Sequence, residues 1–206
     1  MRFFSRVAAA ALYFVLGSTA NTQAAEDFSA CTQFFANGKP PVVAPQPTNR
    51  ALCYDAFALL HSGQSKTAVF VAEKLNRASI VDADEKRTNR FFSDSRLRSS
   101  ERATLEDYKG SGFDRGHMAP AGDMPTAQAM AQSFSLANMV PQAPRHNRGV
   151  WAKSVERATR KYAARAPGDV YVITGPVLRM SRPQLKVELV VEAVEGPECG
   201  FSTSST

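Results

Sequence analysis

Four consecutive residues, Asp114-Arg115-Gly116-His117, put a carboxylate, a guanidinium, a residue without a side chain and an imidazole on one short stretch. His117 is the proton acceptor of the group. An unperturbed imidazole titrates near ~6.5, so a neutral fraction is present at physiological pH, and acid should silence it with a midpoint of roughly 6–7. The chain has three histidines. His61 stands in a Ser/Gly-flanked stretch that reads as a turn, and His146 stands beside Asn147. Gly116, lacking a Cβ, would let an anion come close to the backbone. Asp114 would orient its loop through backbone N–H groups or cap a turn. Further along comes Asn147, whose amide oxygen is a hard, neutral donor for a cation such as Mg²⁺, which takes six oxygens and often keeps several waters among them. Asn is also a common helix N-cap, and the two uses are compatible. No Cys/His cluster has the spacing of a zinc site.

The stretch Ser111-Gly112-Phe113-Asp114-Arg115-Gly116-His117-Met118-Ala119-Pro120 and the later Asn138-Met139-Val140-Pro141-Gln142 … His146-Asn147-Arg148-Gly149-Val150-Trp151 occur in order at a plausible spacing. Together they resemble the DNA/RNA non-specific endonucleases, the ββα-metal nucleases built around an Asp-Arg-Gly-His core. The resemblance covers about Leu52 to Pro176 and stops after Arg179. It implies an α+β, ββα-metal (His-Me finger) nuclease fold, a mixed sheet with helices, in which a hairpin followed by a helix forms the active site. The Asp-Arg-Gly-His segment would lie on the first strand, Asn138 near the end of the second, and Asn147 at the start of the helix. The implied cofactor is Mg²⁺, with Mn²⁺ as the substitute, held by Asn147 with water elsewhere.

Hydrolysis of a phosphodiester needs a water that loses its proton, charge stabilisation at phosphorus and neutralisation of the leaving oxygen. His117 is the candidate base. Arg87 matches the family's arginine seven residues before an aspartate, here Asp94, and an arginine fork suits a phosphate; Arg90 is its rival. Arg115 would contact phosphate or support the hairpin, and Asn138 would support the site by hydrogen bonding. Relatives carry a glutamate four residues after the tryptophan, where it holds a metal-bound water. Here that position is Val155 and the glutamate is Glu156. On a regular helix Glu156 lies about 180° around from Asn147, against about 80° for the usual spacing. A π-bulge would restore its facing; otherwise Glu156 is a solvent-side partner for nearby basic residues.

The remainder of the chain bounds these readings. Its 206 residues, 44% hydrophobic and 21% charged, suit one globular domain and not a disordered chain. Arg2 and Arg6, the apolar run Val7 to Leu16 and the small residues to Ala24 have the layout of a secretory signal peptide, residues 1–24, cleaved after Ala24 with Ala20 or Ala25 as alternatives. The apolar run is about half of the ~20 residues a membrane span needs, so no stable membrane association is expected after cleavage, and the location is periplasmic or secreted. Removing the segment lowers the formal charge from +6 to +4. Between Arg145 and Arg165, seven Lys/Arg face one acid. Of these, Arg145, Arg148, Lys153, Arg157, Arg160 and Lys161 are the candidate contacts to DNA or RNA. Export favours an oxidising compartment, in which Cys31 and Cys53 would pair and Cys199 would be left over; two buried free thiols are the alternative.

Residues 25–50 read as an irregular Pro-rich leader and 51–180 as the nuclease domain. Within it, Leu52 to Leu60 is an apolar first element, Lys66 to Leu75 a strand, Arg77 to Ser100 a loop, Phe134 to Met139 a short strand, Asn147 to Ala164 a helix, and Val170 to Thr174 a buried strand closed by Gly175-Pro176. Residues 181–206 look atypical, as if truncated or frameshifted. The function expected is an exported, Mg²⁺-dependent, sugar-non-specific endonuclease. The alternatives are a non-catalytic nucleic-acid-binding remnant, or a phosphodiesterase of the same fold acting on a smaller substrate.

Overall fold

The structure is a computed structural model that describes residues 27–181 and 184–195. The expected signal peptide and Cys199 lie outside the described residues. β1 (Asn49–Cys53), β2 (Phe57–Ser62), β3 (Thr67–Leu75), β6 (Val170–Ser181) and β7 (Gln184–Glu195) form one five-stranded sheet in the order β1-β2-β3-β6-β7. All its pairings are antiparallel, where a mixed sheet was expected; the parallel contact among the described residues is an isolated bridge between Phe92 and Ser135. Short turns join β1 to β2 to β3 and β6 to β7, and a tight turn permits only antiparallel neighbours. The long excursion between β3 and β6 carries the chemistry. It contains α1 (Arg77–Val81), α2 (Leu105–Tyr108), β4 (Asp114–His117), α3 (Ala127–Ser133), β5 (Met139–Gln142), α4 (Pro144–His146), a π-helix over Asn147–Glu156, and α5 (Arg157–Ala163).

Alternation along the strands covers both faces of the sheet. Leu52, Phe57, Leu59 and Val71 pack against Met118, Met124, Met130, Phe134 and Val140 from the excursion. Ala58, Phe70 and Ala72 point the other way and meet Phe28, Phe34 and Phe35. The leader is therefore folded against the sheet: two short 3₁₀ turns, Ser29–Phe34 and Ala36–Gly38, bury its phenylalanines. The disulfide between Cys31 and Cys53 ties that segment to β1.

Several boundaries differ from the sequence reading. Leu52 to Leu60 is a hairpin, not one element, and His61 lies within β2, fully buried, with Nε2 at 2.8 Å from the Glu101 carbonyl. Phe134 to Met139 is a 3₁₀ turn, Leu136–Asn138, after α3, so Asn138 precedes β5 instead of ending it. Gly175-Pro176 does not close β6. Beyond Thr174 that strand pairs only with β7, and a proline is tolerated where one edge is free.

β4 and β5 form a separate hairpin, with Asp114 opposite Gln142 and His117 opposite Met139. The space in front of Gly116 is filled by the buried Gln142 side chain, which a Cβ there would strike. Gly116 thus admits Gln142 across the hairpin, and the close approach it serves is not that of an anion. Gly116→Ala should cost about 1–3 kcal/mol by overpacking, read as a lowered urea midpoint at unchanged slope, and Gln142→Ala in the same chain should recover most of it.

Candidate active site

Asp114, at the start of β4, accepts hydrogen bonds from three nitrogens on the first turn of the helical segment. Asn147 Nδ2 donates to its Oδ2 at 2.9 Å, Arg148 Nε to Oδ2 at 2.7 Å, and an Arg148 terminal nitrogen to Oδ1 at 2.6 Å. The Arg148 fork, with Asn147, holds the Asp114 carboxyl below the usual carboxylate range although partial burial opposes it. Asp114 therefore neither caps a turn nor binds backbone N–H groups. It sets the Asn147 amide so that its nitrogen is committed. No donor among the described residues reaches Asn147 Oδ1, which leaves the hard oxygen available on a residue that lines a groove of about 480 Å³ with Arg87, Arg115 and Phe91. That donor set fits Mg²⁺, which accepts one protein oxygen and completes its shell with water.

His117 ends β4 and is 6% exposed. It does not line the groove. Its ring meets Phe134 edge-on at 4.9 Å between centroids and Phe91 at 5.9 Å. Its Nε2 is buried without a hydrogen-bond partner. Burial, and then the Arg87 charge, push its pKa down to about 3. This differs from the expected midpoint near neutrality: a desolvated, apolar seat disfavours imidazolium, and the Arg87 guanidinium nearby disfavours it further.

Arg87 is placed by the segment that follows it. Asp94 is buried and bonded to Tyr54 Oη at 2.7 Å and to Arg96, which hold it ionised, at about 2, against the burial that pushes it up. Phe92 is bridged to Phe134 and Leu136 through backbone hydrogen bonds. With that stretch anchored, the Arg87 guanidinium lies 5.0 Å from the Phe134 ring centroid, and its Nε donates to Asn89. Arg87 lines the groove and Arg90 does not. Arg115 stacks over Phe91 at 4.1 Å. Asn138 is fully buried and pins the chain after His117: its Oδ1 accepts from Ala119 N–H, its Nδ2 donates to the Ala119 and Ser133 carbonyls, and its own carbonyl accepts from Met118 N–H. The Phe91 and Phe134 seat of His117 was missed from sequence, since an aromatic pair in a loop and at a helix end has no periodic signature.

The helix after Asn147 is irregular, as the offset of Glu156 required. It winds as a π-helix from Asn147 to Glu156, with Gly149 outside helical geometry at φ −100°, ψ −110°. Glu156 is turned inward and is not a solvent-side partner. It lines a small cavity with Glu73, Asp123, Trp151 and Thr159. Burial raises its pKa, Asp123 adds to that, and Arg160 and Arg87 oppose it. The Trp151 indole also favours the carboxylate, but it makes no hydrogen bond of good geometry. Glu73 is 2% exposed with one carboxyl oxygen unpartnered, and burial pushes it well up towards the neutral acid.

The basic run divides. Arg160 donates to the buried Asp123 at 2.9 Å, and Arg148, whose side chain stays exposed, to Asp114; both are already paired with carboxylates. Arg145, Lys153, Arg157 and Lys161 are exposed. A helix near buried acids must spend its inward-facing cations on them, because an unpaired buried carboxylate is costly.

Comparison with known proteins agrees with this arrangement. The family model for DNA/RNA non-specific endonucleases matches residues 39–198, further on both sides than the Leu52–Pro176 stretch recognised from motifs. The chain is 36% identical over 157 residues to the mitochondrial nuclease EXOG of Xenopus laevis, covering 75% of this chain and 41% of that protein. It is 38% identical over 130 residues to nuclease C1 of Cunninghamella echinulata var. echinulata, covering 60% and 50%, and 35% identical over 124 residues to human mitochondrial endonuclease G, covering 60% and 41%. It thus spans about two fifths to one half of the length of these relatives. Among solved structures, an EndoG/EndoGI complex aligns with a TM-score of 0.55 at 26% identity, over 67% of this chain and 58% of that one. With its own model matched over most of the chain, its Asp-Arg-Gly-His strand paired in a hairpin and its asparagine on the following helix, the chain belongs to the DNA/RNA non-specific endonuclease family.

Proposed function

We propose that this chain is an exported, Mg²⁺-dependent endonuclease that hydrolyses phosphodiester bonds in DNA and RNA without sugar or base preference. The observation that carries this reading is the Asp114-oriented Asn147 amide sharing one groove with Arg87 and Arg115, with His117 just behind. Arg87 and Arg115 bind the phosphate through always-charged guanidinium groups. His117, held neutral by its apolar seat, takes the proton of the attacking water. Mg²⁺ on Asn147 supplies positive charge at the phosphate and leaving oxygen. Glu156, turned inward by the π-helix, orients water near that position. Arg145, Lys153, Arg157 and Lys161 track the backbone, and contacts made to phosphate carry no sequence information. The signal-like N-terminus and the Cys31–Cys53 disulfide support export. Digestion of plasmid DNA and of RNA with and without chelator tests the reading; chelator-insensitive cutting, or none with Mg²⁺ or Mn²⁺, would sink it.

His117→Ala should lose at least a hundredfold in turnover while DNA binding survives. In the free protein the ring should stay neutral well below pH 6 by NMR, since its pKa is held near about 3. Arg87→Met should move that titration upward by removing the repelling charge. A wild-type midpoint of 6–7 would contradict the buried seat.

Asp114→Asn releases both Asn147 and Arg148, so it should weaken metal dependence as Asn147→Ala does. The check is the Mg²⁺ concentration for half-maximal rate, which should rise severalfold in both and not rise further in the double variant.

The two halves of the basic run should separate. Arg157→Glu should raise KM for long DNA more than for a dinucleotide, with the thermal midpoint unchanged. Arg160→Glu should instead lower stability by about 3–5 kcal/mol by stranding buried Asp123, seen in urea unfolding.

A further inference from the structure

The groove in front of Asn147 has a mixed lining. Arg87, Arg115 and Asn147 share it with Leu105, Tyr108 and Phe113, and with Glu106 and Lys109, which pair with each other. Leu105 is 46% exposed and Phe113 49% exposed. A single exposed phenylalanine needs no explanation. This one is held out by its loop. Gly110 and Gly112 both sit in the left-handed region, at φ 69° and 80°, with open space around them. Ser111 Oγ donates to the Tyr108 carbonyl at 2.9 Å and accepts from Phe113 N–H at 3.2 Å. Two glycine turns and a serine clasp therefore fix an apolar ring at the groove's mouth, one residue before the Asp114 that organises the site. Arg115, two residues on, lies over Phe91, so a cation and a second aromatic side chain line the same groove.

A stretch of apolar wall and guanidinium groups in one groove match a nucleotide, with phosphate on the arginines and base on the ring. Stacking on an aromatic face is tolerant of base identity, because every base has a π-face. A base inside a duplex is covered on both faces and cannot reach such a wall unless it leaves the stack. We propose that Phe113, with Leu105 and Tyr108, forms a nucleobase subsite that takes an unstacked base of the nucleotide whose phosphate meets Arg87 and Arg115. The chain then favours single strands and locally opened sites over intact duplex. This rests on the phosphate reading above but not on cleavage itself.

The test is binding of the full chain, in chelator and at one fixed ionic strength, to fluorescein-labelled strands by anisotropy. The probes are a single-stranded oligonucleotide, an abasic strand with the same number of phosphates, and the corresponding duplex. The intact single strand should bind about tenfold tighter than the abasic strand and tighter than the duplex. Phe113→Ala should bring the single strand down to the abasic level while leaving abasic binding and the thermal midpoint unchanged, and Phe113→Trp should restore the difference. Equal affinity for strands with and without bases, or an equal loss on all probes in Phe113→Ala, would overturn the subsite. Cleavage of the same strands with Mg²⁺ separates the two readings. Base-dependent binding without cutting removes the nuclease reading and keeps the subsite, whereas cutting with base-independent binding does the reverse. Binding to none of the probes overturns both.

Discussion

The carboxylate of Asp114 joins two parts of the chain that have no other reason to be in register. It leaves β4 and takes Asn147 and Arg148 from the helix that follows the hairpin. A carboxylate has about four acceptor sites, so one residue can receive a guanidinium fork and an amide together. The result is directional. An amide held through its nitrogen turns its oxygen the other way, and that is the atom a hard cation requires. The rest of the site is arranged around this link: the Asn138 clasp fixes the chain beyond His117, and the Asp94 anchor brings Arg87 to the same groove.

A second constraint is the dielectric beneath the groove. His117 is seated between aromatic rings, and Glu73, Asp123 and Glu156 lie in a small cavity on the inner side of the π-helix. Burial acts oppositely on the two kinds of group, lowering the imidazole and raising the carboxyls, because in both it disfavours charge. Arg160 reaches Asp123 from beside the cavity, and its bond offsets part of that penalty. The inward turn of Glu156 towards these groups goes with the widened winding of the helix that carries it.

What the amino-acid sequence determined was the local chemistry and the order of its parts. The β-branched and aromatic content of Lys66 to Leu75 was legible as a strand, whereas the apolar run Leu52 to Leu60 did not show that it divides into two. The Asp-Arg-Gly-His and Asn147 spacing pointed to a hairpin and helix, Cys31 and Cys53 to a pair, and the one-residue offset of Glu156 to an irregular turn. What only the tertiary structure decided was where each group's partner lies. Arg148 and Arg160 look like their neighbours along the chain, and their pairing with Asp114 and Asp123 is made across 34 and 37 residues. The space at Gly116 is taken by Gln142, because the register that pairs Gly116 with Val140 sets Gln142 diagonally across from it. The depressed pKa of His117 comes from Phe91, Phe134 and Arg87, which are distant in sequence. Residue type and spacing set what a side chain can do; desolvation and long-range pairing set which of those things it does, and neither is local.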